Sequence, residues 1–133
     1  MTLVDSNIFM YAGGREHRLK RRAAAFLERV ADGSIEATVD AEALQEILHR
    51  YRAIGRWNEG RLIYDSARVL FPTALAVTGE VMDRARLLLD EHPQLMARDV
   101  VHAAVVEVYG LDSICTFDRD FDRVRGLRRI EPD

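Results

Sequence analysis

Four acidic side chains in this 133-residue chain, Asp5, Glu46, Asp99 and Asp118, stand where their carboxylates could meet. Asp5 closes the apolar run T-L-V-D, and Asp118 closes a similar run, S-I-C-T-F-D, near the other end. Glu46 and Asp99 each sit beside an apolar helical stripe, in A-L-Q-E-I-L-H-R-Y and A-R-D-V-V-H-A-A-V-V. Acids in such surroundings are seldom buried without a partner. Open α/β sheets bind ligands beyond the carboxyl ends of their strands, so four acids gathered on one such rim predict a cation site. Hard divalent cations take oxygen ligands, and a bound one activates water and offsets charge developing on a phosphodiester. Packed together without a cation the four would repel, and at least one pKa would rise.

Each acid also has a plainer role open to it. Asp5, followed by Ser6 and Asn7, suits a helix N-cap. Asp99 suits the first turn of its helix, where the dipole favours negative charge, and Glu46 suits a solvated flank. Glu42, one turn earlier, competes with Glu46. Asp120 and Asp122 extend Asp118 into D-x-D-x-D, but the Gly and the distant Glu of an EF-hand calcium loop are missing. His49 and His102 each follow an acid by three residues and read as helix-face residues rather than ligands.

The elements that must position these groups follow from hydrophobic periodicity. Strands are expected over 2–5, 36–39, 73–77, 113–117 and 128–131, and helices over 15–31, 41–53, 58–70, 79–91 and 97–109. Gly33, Gly55 and Gly110 read as helix stops, and Pro72 as a break. Parallel strands need crossovers, so this order predicts an α/β fold, an open parallel sheet of about five strands with helices on both faces. Residues 1–133 read as one domain, because 48% hydrophobic content at this length supports one core. No stretch approaches the roughly 18 apolar residues of a membrane span. No signal peptide is apparent, so no membrane partner is expected. The single cysteine, Cys115, lies in an apolar run and reads as a buried core residue, which fits a cytoplasmic location.

The formal net charge is -3, and the positive charge is carried by arginine with one lysine, Lys20. Guanidinium forks match phosphate oxygens in pairs, although arginines at helical spacing equally suit solvated faces. Arg15, Arg18, Arg22, Arg50 and Arg119 are the candidates to hold a nucleic-acid backbone if they cluster beside the acids.

The segments V-D-S-N-I-F, L-Q-E-I-L-H, A-R-D-V-V-H-A-A-V and T-F-D-R-D-F-D together resemble the PIN-domain ribonucleases. The resemblance runs over nearly the full length and is closest to the small VapC-type toxins of bacterial and archaeal toxin-antitoxin pairs. It implies a PIN-like fold with Asp5, Glu46, Asp99 and Asp118 holding Mg²⁺ or Mn²⁺. In the same family pattern Asn7 and Thr116 orient the acids, Ser6 stands where Thr is commoner, and Asp120 or Asp122 could add to Asp118. The implied activity is an endoribonuclease that cuts structured RNA such as tRNA or rRNA, held inactive by a cognate VapB-like antitoxin and dimeric through helical faces. Apolar surface around Trp57, Leu62 and Tyr64 is the candidate partner contact.

Three rival readings carry different expectations. A catalytically silent PIN-like RNA-binding or scaffold module would bind RNA without cutting it. A di-iron carboxylate protein would use the acid-histidine pairs Glu46/His49 and Asp99/His102, but needs an all-α bundle that the expected strands contradict. A phosphoacceptor domain would need a lysine near its aspartate, and Lys20 lies on an early helix.

Overall fold

The computed structural model describes residues 1–133, and in it the apolar runs become four short strands. These are β1 (Thr2–Val4), β2 (Ala37–Thr38), β3 (Ser113–Cys115) and β4 (Arg129–Ile130). They form one sheet in the order β2-β1-β3-β4, with every neighbouring pair parallel. In register, Thr2 faces Ala37 and Ser113, and Val4 faces Cys115. Parallel pairing brings all the carboxyl ends to one rim, which is why residues far apart in sequence can meet there.

Side-chain alternation along the strands then separates two cores. Leu3 and Ile114 turn to one face of the sheet while Val4 and Cys115 turn to the other, all fully buried. Six helices cover these faces: α1 (Ser6–Gly13), α2 (Lys20–Ala31), α3 (Ala41–Ala53), α4 (Trp57–Leu70), α5 (Gly79–Glu91) and α6 (Ala97–Val108). α5 and α6 pack on the Leu3 face through Val81, Ala85, Leu88, Val100 and Ala104. The other four pack on the Val4 face through Ile8, Phe26, Ile47 and Ile63. Each such large apolar side chain contributes about 1.5–3 kcal/mol on burial, and burial on both faces is what makes parallel strands read as unbroken apolar runs. A 3-10 turn, Arg119–Arg123, follows β3 and inserts Phe121 into the α5–α6 core.

Two expectations are corrected by this arrangement. The strand predicted over 73–77 is absent. Leu75 makes only a single parallel bridge to Asp40, with its N–H donating to the Val39 carbonyl at 2.8 Å and its carbonyl accepting from Ala41 N–H at 2.9 Å. β2 is two residues long and offers nothing further to pair with, so the sheet has four strands. The helix predicted over 15–31 begins only at Lys20, and α1 occupies residues to which no element had been assigned, although Asp5 was a candidate N-cap. Gly14 separates the two helices. Its backbone lies so close to Met10 that a Cβ would come within 2.4 Å of that residue's carbonyl oxygen.

Candidate active site

Asp5 leaves β1 at the rim, with its backbone N–H donating to the Cys115 carbonyl at 3.0 Å. It is the N-cap of α1, and its Oδ1 accepts from Ser6 N–H at 2.7 Å. Its other oxygen, Oδ2, accepts from the Thr116 hydroxyl at 2.7 Å and from Asn7 Nδ2 at 3.3 Å. The Thr116 hydroxyl in turn accepts from Asn7 Nδ2 at 2.9 Å and from the Asp118 N–H at 3.0 Å. One hydroxyl beyond β3 therefore ties Asp5 to the loop that carries Asp118.

Asp99 enters from the first turn of α6. Its carboxylate oxygens lie within 4.8 Å of ligand atoms on Asp118 and Asp120, and a second group within the same distance joins Asp5, Glu46 and His102. Asp5, Glu46, Asp99 and Asp118 all line a single cleft of about 830 Å³. Burial pushes Asp99 up to about 6, reinforced by Asp118 and Asp5 and opposed by Arg98. Asp5 is likewise raised, first by burial; the His102 charge pulls it back and Glu46 pushes it up again. Crowded carboxylates without a cation behave in this way.

Glu46 reaches the site from the middle of α3. Its Oε2 accepts from the Ser6 hydroxyl at 3.3 Å, and its Oε1 is bonded to His102 Nε2. His102, expected on a helix face, is instead 1% exposed and inside the site. Its Nδ1 lies 2.7 Å from Asp40 Oδ2, and its Nε2 lies 3.5 Å from Asp5 Oδ1. Both ring nitrogens thus face carboxylate oxygens. Burial alone would depress its pKa, but Asp40, Glu46 and Asp5 outweigh burial and hold it well above the usual imidazole range.

Asp40, His102 and Arg98 are the members of this neighbourhood that sequence reasoning missed. Asp40 closes β2 much as Asp5 closes β1, and His102 follows Asp99 by three residues, so both signals were present in the chain. Glu42 also lines the cleft, but Glu46 is the glutamate grouped with Asp5. Asp120 joins Asp99 and Asp118, with its N–H donating to Asp118 Oδ1 at 2.9 Å. Asp122 instead pairs with Arg129 at 2.8 Å.

Of the candidate arginines, Arg15 and Arg50 line the cleft, joined by Arg56 and Arg98. Arg22 is committed elsewhere, donating to the Pro132 carbonyl at 2.8 Å and lying 5.4 Å over the Phe117 ring. Arg18 and Arg119 are exposed outside the cleft lining. His49 is exposed at the cleft wall. Cys115 is buried and its thiol is pushed up to about 12 by burial, which leaves it an inert core residue.

A second cavity, of about 430 Å³, is apolar and lies between α1, α2 and α4, lined by Phe9, Ala12, Leu27, Leu62, Ile63 and Leu70 among others. Leu62, 68% exposed, is the one member of the expected partner contact that lines it. Trp57 is covered by Arg52 at 4.9 Å, and Tyr64 packs against the α1–α4 core.

Comparison with known proteins places this geometry in a lineage. A family model described as PIN domain matches residues 2–127. Ribonuclease VapC13 of Mycobacterium tuberculosis is 37% identical over 130 residues, covering 98% of this chain and 99% of that protein. Ribonuclease VapC23 of the same species is 39% identical over 121 residues, covering 89% and 93%. Among solved structures, VapBC2 from Rickettsia felis, bound to a DNA fragment from their promoter, has a TM-score of 0.78 at 15% identity over 99% of this chain and 98% of that one. A toxin-antitoxin complex from Klebsiella pneumoniae has a TM-score of 0.68 at 18% identity, covering 100% and 98%. At such identities the structural likeness speaks for the fold alone, and the VapC sequences carry the descent. On a match that spans three of the four strands, the cleft and all four acids, this chain belongs to the PIN-domain family, alongside its VapC members.

Proposed function

We propose that this protein is a metal-dependent endoribonuclease and the toxin of a toxin-antitoxin pair. The observation that carries the reading is the convergence of Asp5, Glu46, Asp99 and Asp118 on one open cleft, in a chain whose relatives are named ribonucleases. Asp5, Asp99 and Asp118 would hold Mg²⁺ or Mn²⁺, with Glu46 ligating the ion or orienting water. The donor set fits such an ion: the four acids offer hard oxygens, and the burial of Asp99, reinforced by the repulsion of Asp118 and Asp5, raises its pKa to about 6, a cost that a cation would relieve. A bound cation supplies an activated water and offsets charge on the scissile phosphate. Ser6, Asn7 and Thr116 keep Asp5 aimed at the cleft, and Asp120 adds negative charge beside Asp118.

Arg15, Arg50 and Arg98 line the same cleft as the acids and suit the phosphates of an RNA chain, whereas Arg56 is held by Glu59. Contacts of that kind supply affinity and position rather than sequence choice. We read the substrate as structured RNA, tRNA or rRNA, and the site of action as cytoplasmic. No helix is long and apolar enough to cross a membrane.

The apolar cavity between α1, α2 and α4 supports the antitoxin part of the reading. An amphipathic helix laid into such a groove buries its apolar stripe, a common mode of recognition. A VapB-like antitoxin is the proposed occupant, since similar folds are solved as toxin-antitoxin complexes. The exposed Met82 and Leu89 of α5, seven residues apart and so on one side of the helix, offer a separate face for a homodimer.

The test is cleavage of labelled total RNA by the wild type and by Asp99→Asn, each with Mg²⁺, with Mn²⁺ and with EDTA. Cuts should appear with metal, vanish in EDTA and fall by about 100-fold or more in the variant. Equal cutting by Asp99→Asn, or cutting that survives EDTA, would refute the reading; RNA binding without any cleavage would identify a silent module.

A further inference from the structure

The four acids leave two buried ionic side chains unexplained. Asp40 and His102 are 0% and 1% exposed, and they meet at 2.7 Å. A buried ion pair is weak support for stability, because well-packed apolar residues of similar volume often do as well or better. Its place against the active site is therefore the informative fact.

We propose that Asp40 and His102 are positioning residues that hold the Glu46 carboxylate, and with it the α3 side of the cation site, in working geometry. The inference rests on the nuclease reading above and deepens it. Asp40 is itself fixed twice over. Its Oδ1 caps α3 by accepting from Ala43 N–H at 2.8 Å, and its backbone bridges to Leu75. The remaining oxygen, Oδ2, is thus presented rigidly to His102 Nδ1. Pinning that nitrogen aims Nε2 at Glu46 Oε1, with Asp5 Oδ1 3.5 Å away.

Glu46 needs such a hold. Glutamate is among the side chains that lose most rotamer freedom when ordered, and without His102 its remaining restraint is the 3.3 Å contact to Ser6. The pair also spans the site. Asp40 begins α3, which carries Glu46, and His102 lies on α6, which carries Asp99. The Asp40–His102 contact is thus a direct side-chain link between the two acid-bearing helices.

The experiment separates donor geometry from charge. Asp40→Asn/His102→Leu and Asp40→Asn/His102→Gln carry the same charge as each other, and an amide at position 40 can still cap α3. The two differ in whether residue 102 can donate to Glu46. Read out are the Mn²⁺ dissociation constant of the RNA-free protein by calorimetry, and kcat and KM on RNA. The leucine variant should lose about 10–100-fold in Mn²⁺ affinity or in kcat with KM for RNA changed by less than about twofold, and the glutamine variant should recover most of the loss. Equal behaviour of the two folded variants overturns the proposal.

Should the leucine variant fail to fold, His102→Gln is compared in the wild-type and Glu46→Gln backgrounds. An effect that disappears with Glu46→Gln supports the positioning role, and one that persists undiminished overturns it. A wild type that binds Mn²⁺ but cuts no RNA refutes the nuclease reading and leaves this one standing, whereas a wild type that binds no Mn²⁺ overturns both.

Discussion

Asp99 bears the electrostatic strain of the site in a form that can be measured. Its carboxyl is shifted from 3.8 to about 6, first by burial and then by Asp118 and Asp5. The native state therefore holds this proton more tightly than the unfolded chain does. The resulting stability is present below pH 3.8 and is lost as pH rises through about 6. At neutral pH the metal-free protein carries the full penalty. The limit set by the shift is roughly 3 kcal/mol, and solvent screening in an open cleft reduces it to about 1–2 kcal/mol. Asp99→Asn should accordingly melt higher than the wild type at pH 7 in EDTA, and the gap should close near pH 4. Thermal melts at the two pH values check this, and a variant less stable at pH 7 would contradict it. The four acids were legible because each closes an apolar run or interrupts an apolar stripe. His102 was not, because V-V-H-A-A is apolar on all sides and a histidine within it looks like packing. Asp40 was not legible as a site residue either, and in the structure it also has the ordinary role of capping α3.

Helix α3 brings Glu46 to the rim, and its pose depends on how closely α4 lies against it. Gly60 of α4 sits over Tyr51 of α3, where an added Cβ would meet the Tyr51 Cβ at 2.3 Å and Cγ at 2.8 Å. Gly→Ala within a helix ordinarily gains up to about 1 kcal/mol. Here the overlap with a buried neighbour costs about 1–3 kcal/mol or more, because tightly packed interiors resist extra volume. The sign reverses. Gly60→Ala should lower the thermal midpoint by about 5 °C, read by calorimetry, and a raised midpoint would show that the two helices separate freely. The later helices were legible almost to the residue because each repeats its apolar stripe over three turns or more. α1 was not, since eight residues ending in Gly13 are too short for a 3.6-residue period to declare itself. The segment over 73–77 has the composition of a strand but lacks a partner long enough to make it one, which is a property of β2 rather than of the segment.

Across the whole molecule the acidic cleft and the apolar cavity are distinct surfaces, sharing no lining residue. Cleavage and antitoxin binding should therefore be separable by mutation. Leu62→Glu places a charge in the apolar cavity at an exposed position, where folding tolerates it. Antitoxin affinity should fall by about 100-fold or more, as for loss of an apolar anchor, while RNA cleavage in the absence of antitoxin stays at the wild-type rate. Titration calorimetry against the antitoxin checks the first part, and undiminished affinity would move the partner to another face. Fold class and the parallel rim could be read from the alternation of elements alone. The division of six helices into four on one face and two on the other could not, because it depends on which way Leu3 and Val4 turn.

The pairing of β1 with β3 sets a timetable as well as a topology. β1 emerges from the ribosome long before Ser113–Cys115, yet the two are neighbours in the sheet, and the Asp5 N–H finds its acceptor on Cys115. Until residues 113–118 have been translated, the sheet cannot close and Asp118 cannot approach Asp5. On the nuclease reading proposed above, late closure of this kind would leave the acidic site unassembled for as long as residues 113–118 are untranslated.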